Sequence, residues 1–108
     1  MHKIVAMGST VPLTVPAGTI ASAYRFRFVG PPAALPVPDV SVPYDPSAID
    51  PITATSEVLT AQGIWTVAFA LVDGVGNVLG VEQATTIDVP ADVIVRVAAG
   101  LTVQVIVG

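Results

Sequence analysis

The sequence predicts an all-β protein folded as an antiparallel β-sandwich, and two observations lead to this fold class. Segments rich in Val, Ile and Thr recur along the 108 residues, separated by turns that draw on ten prolines and nine glycines. No stretch places apolar residues at the i, i+3, i+4 and i+7 positions over the length that a helix needs. The chain has the size of one domain, so we expect a single sandwich over residues 1–108.

The first part of the chain contains three predicted strands. Lys3–Met7 is a short one, and Val11–Val15 is restricted to a sheet edge because its proline donates no hydrogen bond to a ladder. Thr19–Val29 alternates with period two, which places Arg25 and Arg27 on its outer face. The positions of this strand that we expect to face the core are Ile20, Ser22, Tyr24, Phe26 and Phe28.

Residues 30–51 hold seven of the ten prolines and are predicted to be the irregular part of the domain. Such a segment is either a long connection with polyproline-like backbone or a short edge strand near Val40 flanked by loops. We expect a partner surface in this region.

Further strands are predicted in the second half of the chain. Both faces of Ile64–Val72 are largely apolar, which indicates a central strand. The last two strands are expected to form a hairpin over residues 92–107, because the short linker with Gly100 suits such a turn. The predicted segments are Thr53–Thr60, Ile64–Val72, Val78–Val89, Asp92–Val97 and Leu101–Val107.

The glycine-rich segment Leu71–Gly80 is predicted to be a turn between strands. A dinucleotide-binding loop needs the spacing G-x-G-x-x-G before a helix, whereas here the last glycine is one residue too far and a strand-like segment follows. A calcium loop needs oxygen ligands at alternate positions, and Val75 stands at one of them. Gly74 and Gly76 can take positive φ without strain, as such a turn requires.

The sequence lacks the residue sets that enzymes and metal sites use. It has no cysteine and a single histidine, His2, with no neighbouring carboxylate, and its serines lack the context of a nucleophile elbow. The aspartates near prolines have the ordinary positions of turn residues; they are Asp39, Asp45, Asp50, Asp88 and Asp92. We therefore expect a protein that is not an enzyme, with no catalytic residue, cofactor or metal.

The distribution of charge excludes two classes of partner. The net charge is −4, and the basic residues, Lys3, Arg25, Arg27 and Arg96, are spread along the chain, so they provide no clustered basic face for nucleic acid or an anionic membrane. The apolar tract near the end of the chain is interrupted by polar residues and does not predict a membrane span.

The scarcity of charge also favours assembly. Charged residues make up 11% of the chain, against about 25% in a typical soluble domain, so the surface has weak defences against association. We expect a subunit of an assembly that contacts other copies of itself. Pro12 and Pro16 interrupt the apolar run that a signal peptide would need, so we expect the protein to be made and assembled inside the cell.

Three residues are candidates for contacts with a partner. Arg25 and Arg27 share one strand face, where they either pair with carboxylates of a neighbouring subunit or remain solvated and guard an exposed strand. Tyr44 lies in the proline-flanked sequence VPYDP, where it either offers a rigid aromatic contact or folds back onto its own domain.

The segment GIWTVAFALVDGVGNVLG resembles the late strands of immunoglobulin-like and fibronectin type III-like sandwiches of bacteria and their phages. The residues that carry the match are Gly63, Trp65, Val67, Asp73, Gly76 and Asn77. The chain departs from those families in having no cysteine pair, a longer proline-rich middle and an additional C-terminal hairpin. A jelly roll or a small barrel is therefore kept as an alternative.

The resemblance implies a structural protein of a phage virion, assembled in the host cytoplasm. We expect it to decorate or stabilise the capsid or to belong to the tail, in contact with other copies of itself and with a major capsid or tail protein. One alternative is a filament or surface-layer subunit on the extracellular surface. Another is a carbohydrate-binding or adhesion module, for which Trp65, Tyr24 and Tyr44 are the aromatic candidates and the first two are predicted to be buried.

Overall fold

A computed structural model describes residues 2–10, 15, 17–47, 51–89, 94–96 and 100–107. These residues form eight strands and no helix, which confirms the predicted all-β class. The strands are β1 (His2–Gly8), β2 (Ala23–Val29), β3 (Val40–Pro43), β4 (Ile52–Thr55), β5 (Gly63–Val72), β6 (Val78–Val89), β7 (Ile94–Arg96) and β8 (Leu101–Val107).

The strands form two antiparallel sheets of four strands each. The first sheet has the order β4-β1-β8-β7 and the second has the order β3-β2-β5-β6. The sheets do not close into a barrel, so the β-sandwich is the form observed and the barrel alternative is not. Every strand pair is antiparallel, and the first and last long strands, β1 and β8, pair along their full lengths.

The strand β8, the last one described, lies between β1 and β7 in the first sheet. As a result β1, which begins the described chain, lies inside the first sheet rather than at its edge.

The predicted central strand is confirmed as β5, which lies between β2 and β6. Trp65, Val67 and Phe69 alternate on its inner face and are fully buried. Ala68 and Ala70 on the outer face are also buried, which accounts for the apolar character of both faces. The inner face is covered by the first sheet, and on the outer face the side chain of Arg25 lies across Ala70 to reach Glu82.

The core is organised around the ring of Phe69. Phe26 of β2 packs against it with ring centroids 4.7 Å apart, and Tyr24 stacks on it at 6.1 Å. On the first sheet Gly8 faces the same ring so closely that a Cβ atom at this position would lie 2.5 Å from it. The indole of Trp65 is also fully buried in the core, and its Nε1 donates a hydrogen bond of 3.0 Å to the carbonyl oxygen of Ala61.

β2 begins later than the sequence predicts. The alternation extends back to Thr19, but the strand starts at Ala23, and Ile20 is 84% exposed rather than in the core. The reason is the length of the partner strand. β5 ends at Val72, whose carbonyl oxygen accepts the amide of Ser22 at 2.8 Å, so residues before Ser22 extend beyond the end of the ladder.

The strand predicted over Thr53–Thr60 is also shorter in the structure, where β4 ends at Thr55. Buried Ser56 replaces the next step of the ladder, because its Oγ accepts the amide of Ile4 at 2.9 Å and its own amide bonds to the carbonyl oxygen of Ile4 at 2.8 Å. Its hydroxyl also donates to the carbonyl oxygen of Glu57, and the chain continues beside β1, where the amide of Leu59 bonds to the carbonyl oxygen of His2 at 2.8 Å.

The remaining predicted segments fall in less regular parts of the chain. β3 is the short edge strand near Val40, and Val37 of the same proline-rich segment is buried. β7 pairs with β8, and the linker residues 97–99 of this predicted hairpin lie outside the described residues. The predicted strand Val11–Val15 also lies outside them except for Val15, which is exposed and not part of a strand.

The contact between Gly8 and Phe69 gives a first prediction. The substitution Gly8→Ala places a methyl group inside the van der Waals radius of the ring, and we expect it to lower the free energy of unfolding by about 1–3 kcal/mol. Gly74→Ala is the control, because a Cβ atom there meets nothing within 4 Å and we expect a change of less than about 1 kcal/mol. Urea unfolding of the two variants measures the difference, and equal midpoints would contradict the prediction.

Candidate interaction surface

The turn between β5 and β6 is built by the side chain of Asp73. Its Oδ1 accepts the backbone amides of Val75 at 3.0 Å and Asn77 at 2.9 Å, and its Oδ2 accepts Nδ2 of Asn77 at 3.1 Å. Gly76 adopts positive φ, whereas Gly74 does not, because the hydrogen bonds of Asp73 close the turn with one left-handed residue.

The same hydrogen bonds set the protonation of Asp73. They lower its pKa below the usual value, with the backbone amide of Asn77 contributing most, and they outweigh the desolvation that raises it. The carboxylate is therefore the form that holds the turn.

A β-bulge follows this turn. Phe69 is opposite Gln83, but Leu71 is opposite Leu79, so β6 carries additional residues between these positions. Gly80 adopts positive φ within the bulge, at 80°. The bulge brings Glu82 to the outer face of the second sheet.

Arg25 lies on this outer face and pairs within its own chain. Its strand position is directly opposite Ala70, and its Nη2 atom lies 3.5 Å from Oε2 of Glu82 on the far side of β5. Its Nη1 donates a hydrogen bond of 3.2 Å to the carbonyl oxygen of Gly76. The side chain thus crosses β5 above the buried Ala70, where the small methyl group leaves room for it.

Arg27 is exposed on the same face, opposite Ala68. It borders a surface hollow of about 400 Å³ whose walls come from the proline-rich segment, including Pro31, Leu35 and Asp39. The side chain of Leu35 is 70% exposed there. The region in which the sequence predicts a partner surface therefore has an exposed cation at its border, beside an exposed apolar side chain.

Tyr44 lies apart from the two arginines. It is half-buried, and its ring packs against Tyr24 with centroids 5.6 Å apart, so it folds back onto its own domain. The hydroxyl of Tyr24 donates to the carbonyl oxygen of Asp45 at 3.2 Å, which fixes the loop after Tyr44. The pKa of Asp45 is lowered by the hydrogen bonds that it accepts from the hydroxyl and the amide of Ser47.

The most exposed apolar side chains lie at the end of the sandwich that contains the Asp73 turn. Ile20 and Val75 are 84% and 83% exposed, and together with Gly18, Thr19 and Gly74 they border a hollow of about 380 Å³. We call Ile20 and Val75 the loop-tip patch. Sequence reasoning missed it, because it placed Ile20 in the core and treated Val75 only as a residue unsuited to calcium.

Other classes of site are not found in the described part of the chain. It contains no group of three or more His, Cys, Asp or Glu side chains that is placed to hold a metal ion. None of its segments forms a helix with the length and hydropathy to cross a membrane.

Comparison of the chain with known protein families, with curated proteins and with solved structures gives no match.

The lowered pKa of Asp73 gives a second prediction. Because the folded-state pKa lies below the unfolded one, the stabilisation by this carboxylate is fully present above the unfolded pKa of about 3.9 and is lost as the pH falls through the folded pKa. Asp73→Asn removes this dependence. We expect the difference in urea midpoint between the wild type and Asp73→Asn to shrink between pH 6 and about pH 2. A difference that stays constant over this range would contradict the role assigned to the carboxylate.

Proposed function

We propose that the protein is a non-enzymatic structural subunit of a phage particle, which decorates or stabilises the capsid or belongs to the tail. The observation that carries this proposal is the loop-tip patch, where Ile20 and Val75 are more than four-fifths exposed on neighbouring loops. Exposed aliphatic side chains around a hollow are typical of protein contact sites. The partner that we propose for this patch is a major capsid or tail protein.

The charge of the chain supports a protein partner. Twelve of the 108 residues are charged, four basic and eight acidic, and one of the four basic side chains, Arg25, is used in an ion pair within the chain. Contacts at such a surface depend on burial of apolar area and on shape rather than on attraction to phosphate.

The resemblance of residues 63–80 to sandwiches of phage proteins supports the particle as the location. The observed β5-turn-β6 unit has the strand-turn-strand arrangement on which that resemblance rests, with Asp73 and Asn77 bonded to each other across the turn. The second sheet adds to this support, because its order β6-β5-β2-β3 corresponds to the order G-F-C-C′ of an immunoglobulin sandwich.

The positions of the aromatic residues disfavour a carbohydrate-binding module. Trp65 is fully buried and Tyr24 is 3% exposed, so neither ring offers a face for stacking on a sugar. Tyr44 is half-buried against Tyr24.

A particle-association experiment tests the proposed function. We expect the protein to co-sediment with assembled phage particles from the producing strain in a density gradient, with detection by mass spectrometry. The double variant Ile20→Asp and Val75→Asp buries two charges in the contact, and we expect its Kd for the particles to rise by about thirtyfold, corresponding to a loss of about 2 kcal/mol.

The control for this experiment is Val107→Asp. Val107 is 77% exposed at the end of β8 in the first sheet and does not border the hollow of the loop-tip patch, so the variant carries a similar change of surface elsewhere. We expect it to remain with the particles. Absence of the wild-type protein from the particle fraction would overturn the proposed function, and equal loss of both variants would overturn the assignment of the patch.

A further inference from the structure

β6 differs from the other strands at the edges of the two sheets. It has 12 residues, whereas β3 and β4 have four each and β7 has three. In the part of the chain that the structure describes, β6 pairs with β5 on one side and with no strand on the other. Its second side therefore presents backbone amide and carbonyl groups that can form a further ladder.

The second half of β6 has little of the usual protection of an edge strand, with Asp88 as its one charged residue. It contains no proline, lysine or arginine, while β3 ends in Pro43. The bulge around Gly80 disturbs only the first part of the strand, and the ladder with β5 is regular from Gln83 to Val89. Seven consecutive residues thus keep the geometry that pairing with another strand requires.

We propose that two copies of this chain associate through β6, in an antiparallel pair in which Thr86 lies opposite Thr86 of the second copy. The two second sheets then form one continuous sheet of eight strands. This inference deepens the proposed function and rests on it, since it identifies one of the subunit contacts that an assembled particle uses.

The symmetry of the pair and the charges on β6 select this register. Thr86 is the midpoint of the regular segment Gln83–Val89, so a two-fold axis at Thr86 pairs all seven residues of that segment. Asp88 then lies opposite Ala84. A shift of the axis to Thr85 would place Asp88 opposite Glu82, and like charges directly opposite each other are destabilising.

The side chains on both faces of the strand suit this pairing. The outer face of this segment exposes Ala84, Thr86 and Asp88. In the pair the two Thr86 side chains lie opposite each other, and Ala84 of each copy lies opposite Asp88 of the other. On the inner face Ile87 is buried, and pairing brings it beside Thr85 of the second copy. A second copy is favoured over an unrelated strand because, in this register, every residue of the segment lies opposite a compatible residue of the same sequence.

The absence of cysteine from the chain allows a direct test of the register. In the single variant Thr86→Cys, the two thiols lie opposite each other, and we expect a disulfide-linked dimer under mild oxidation. Ser41→Cys is the matched control, since Ser41 is exposed on β3 at the opposite edge of the same sheet. Cross-linking of Thr86→Cys at the level of Ser41→Cys would overturn the proposal.

A second pair of variants tests the same register at other positions. Ala84→Cys alone is expected to give no dimer, because the residue opposite it is Asp88. The double variant with Ala84→Cys and Asp88→Cys is expected to give a dimer, because the thiol at position 84 of each copy lies opposite the thiol at position 88 of the other. Cross-linking of Ala84→Cys alone would overturn the register centred on Thr86.

The non-covalent dimer is measured by light scattering of the purified protein. We expect the wild-type protein at high concentration to show twice the 11.0 kDa mass of one chain, and Thr86→Lys to show a single chain because it opposes two cations. Thr86→Val, which keeps a β-branched residue, is expected to remain a dimer, and the melting temperatures of both variants report on folding. A wild-type monomer would overturn the pairing.

The particle-association experiment separates this result from the proposed function. If the wild-type protein is monomeric but bound to particles through the loop-tip patch, the β6 pairing fails and the structural role stands. If it is dimeric but absent from particles, the proposed function fails although the strand pairing is confirmed.

Discussion

The contact between the ring of Phe69 and the backbone of Gly8 holds the two sheets together. Phe69 lies on the central strand of the second sheet, and its ring is already packed against Phe26 and Tyr24 from the neighbouring strand. Any side chain at position 8 would push the sheets apart at this point. Because β1 pairs with both β4 and β8, the position of Gly8 against the ring also fixes the register of the first sheet relative to the second.

The outer face of the second sheet is organised by an ion pair, whereas the core is organised by aromatic packing. The outer-face side chains of β5 include the small Ala68 and Ala70, so Arg25 can lie across the strand and reach Glu82 on β6. The bulge that contains Gly80 and the turn built by Asp73 place that carboxylate within reach. Turn, bulge and ion pair therefore form one unit, in which the turn built by Asp73 helps to place Glu82, nine positions along the chain, beside Arg25.

The parts of the surface that are left open explain why we interpret the protein as an assembly subunit. Exposed apolar side chains are found on loops at the end of the sandwich, where Ile20 and Val75 extend beyond the ladders. The long strand β6 leaves one side of its backbone free in the described structure. The two features are of different kinds, since one is a side-chain surface and the other a hydrogen-bonding edge, and they allow one chain to contact different partners at the same time.

The sequence by itself determined the all-β class, the central position of β5 and the turn at Asp73, because alternation, apolar content and turn residues are local properties of the chain. Strand ends were decided by the tertiary structure, since β2 can begin only where β5 provides a partner and β4 ends where Ser56 bonds to Ile4 instead of continuing the ladder. The same applies to the surface. Whether Ile20 is buried, and whether Arg25 finds its carboxylate within the chain, depends on residues that are distant in sequence, and alternation along one strand carries no information about them.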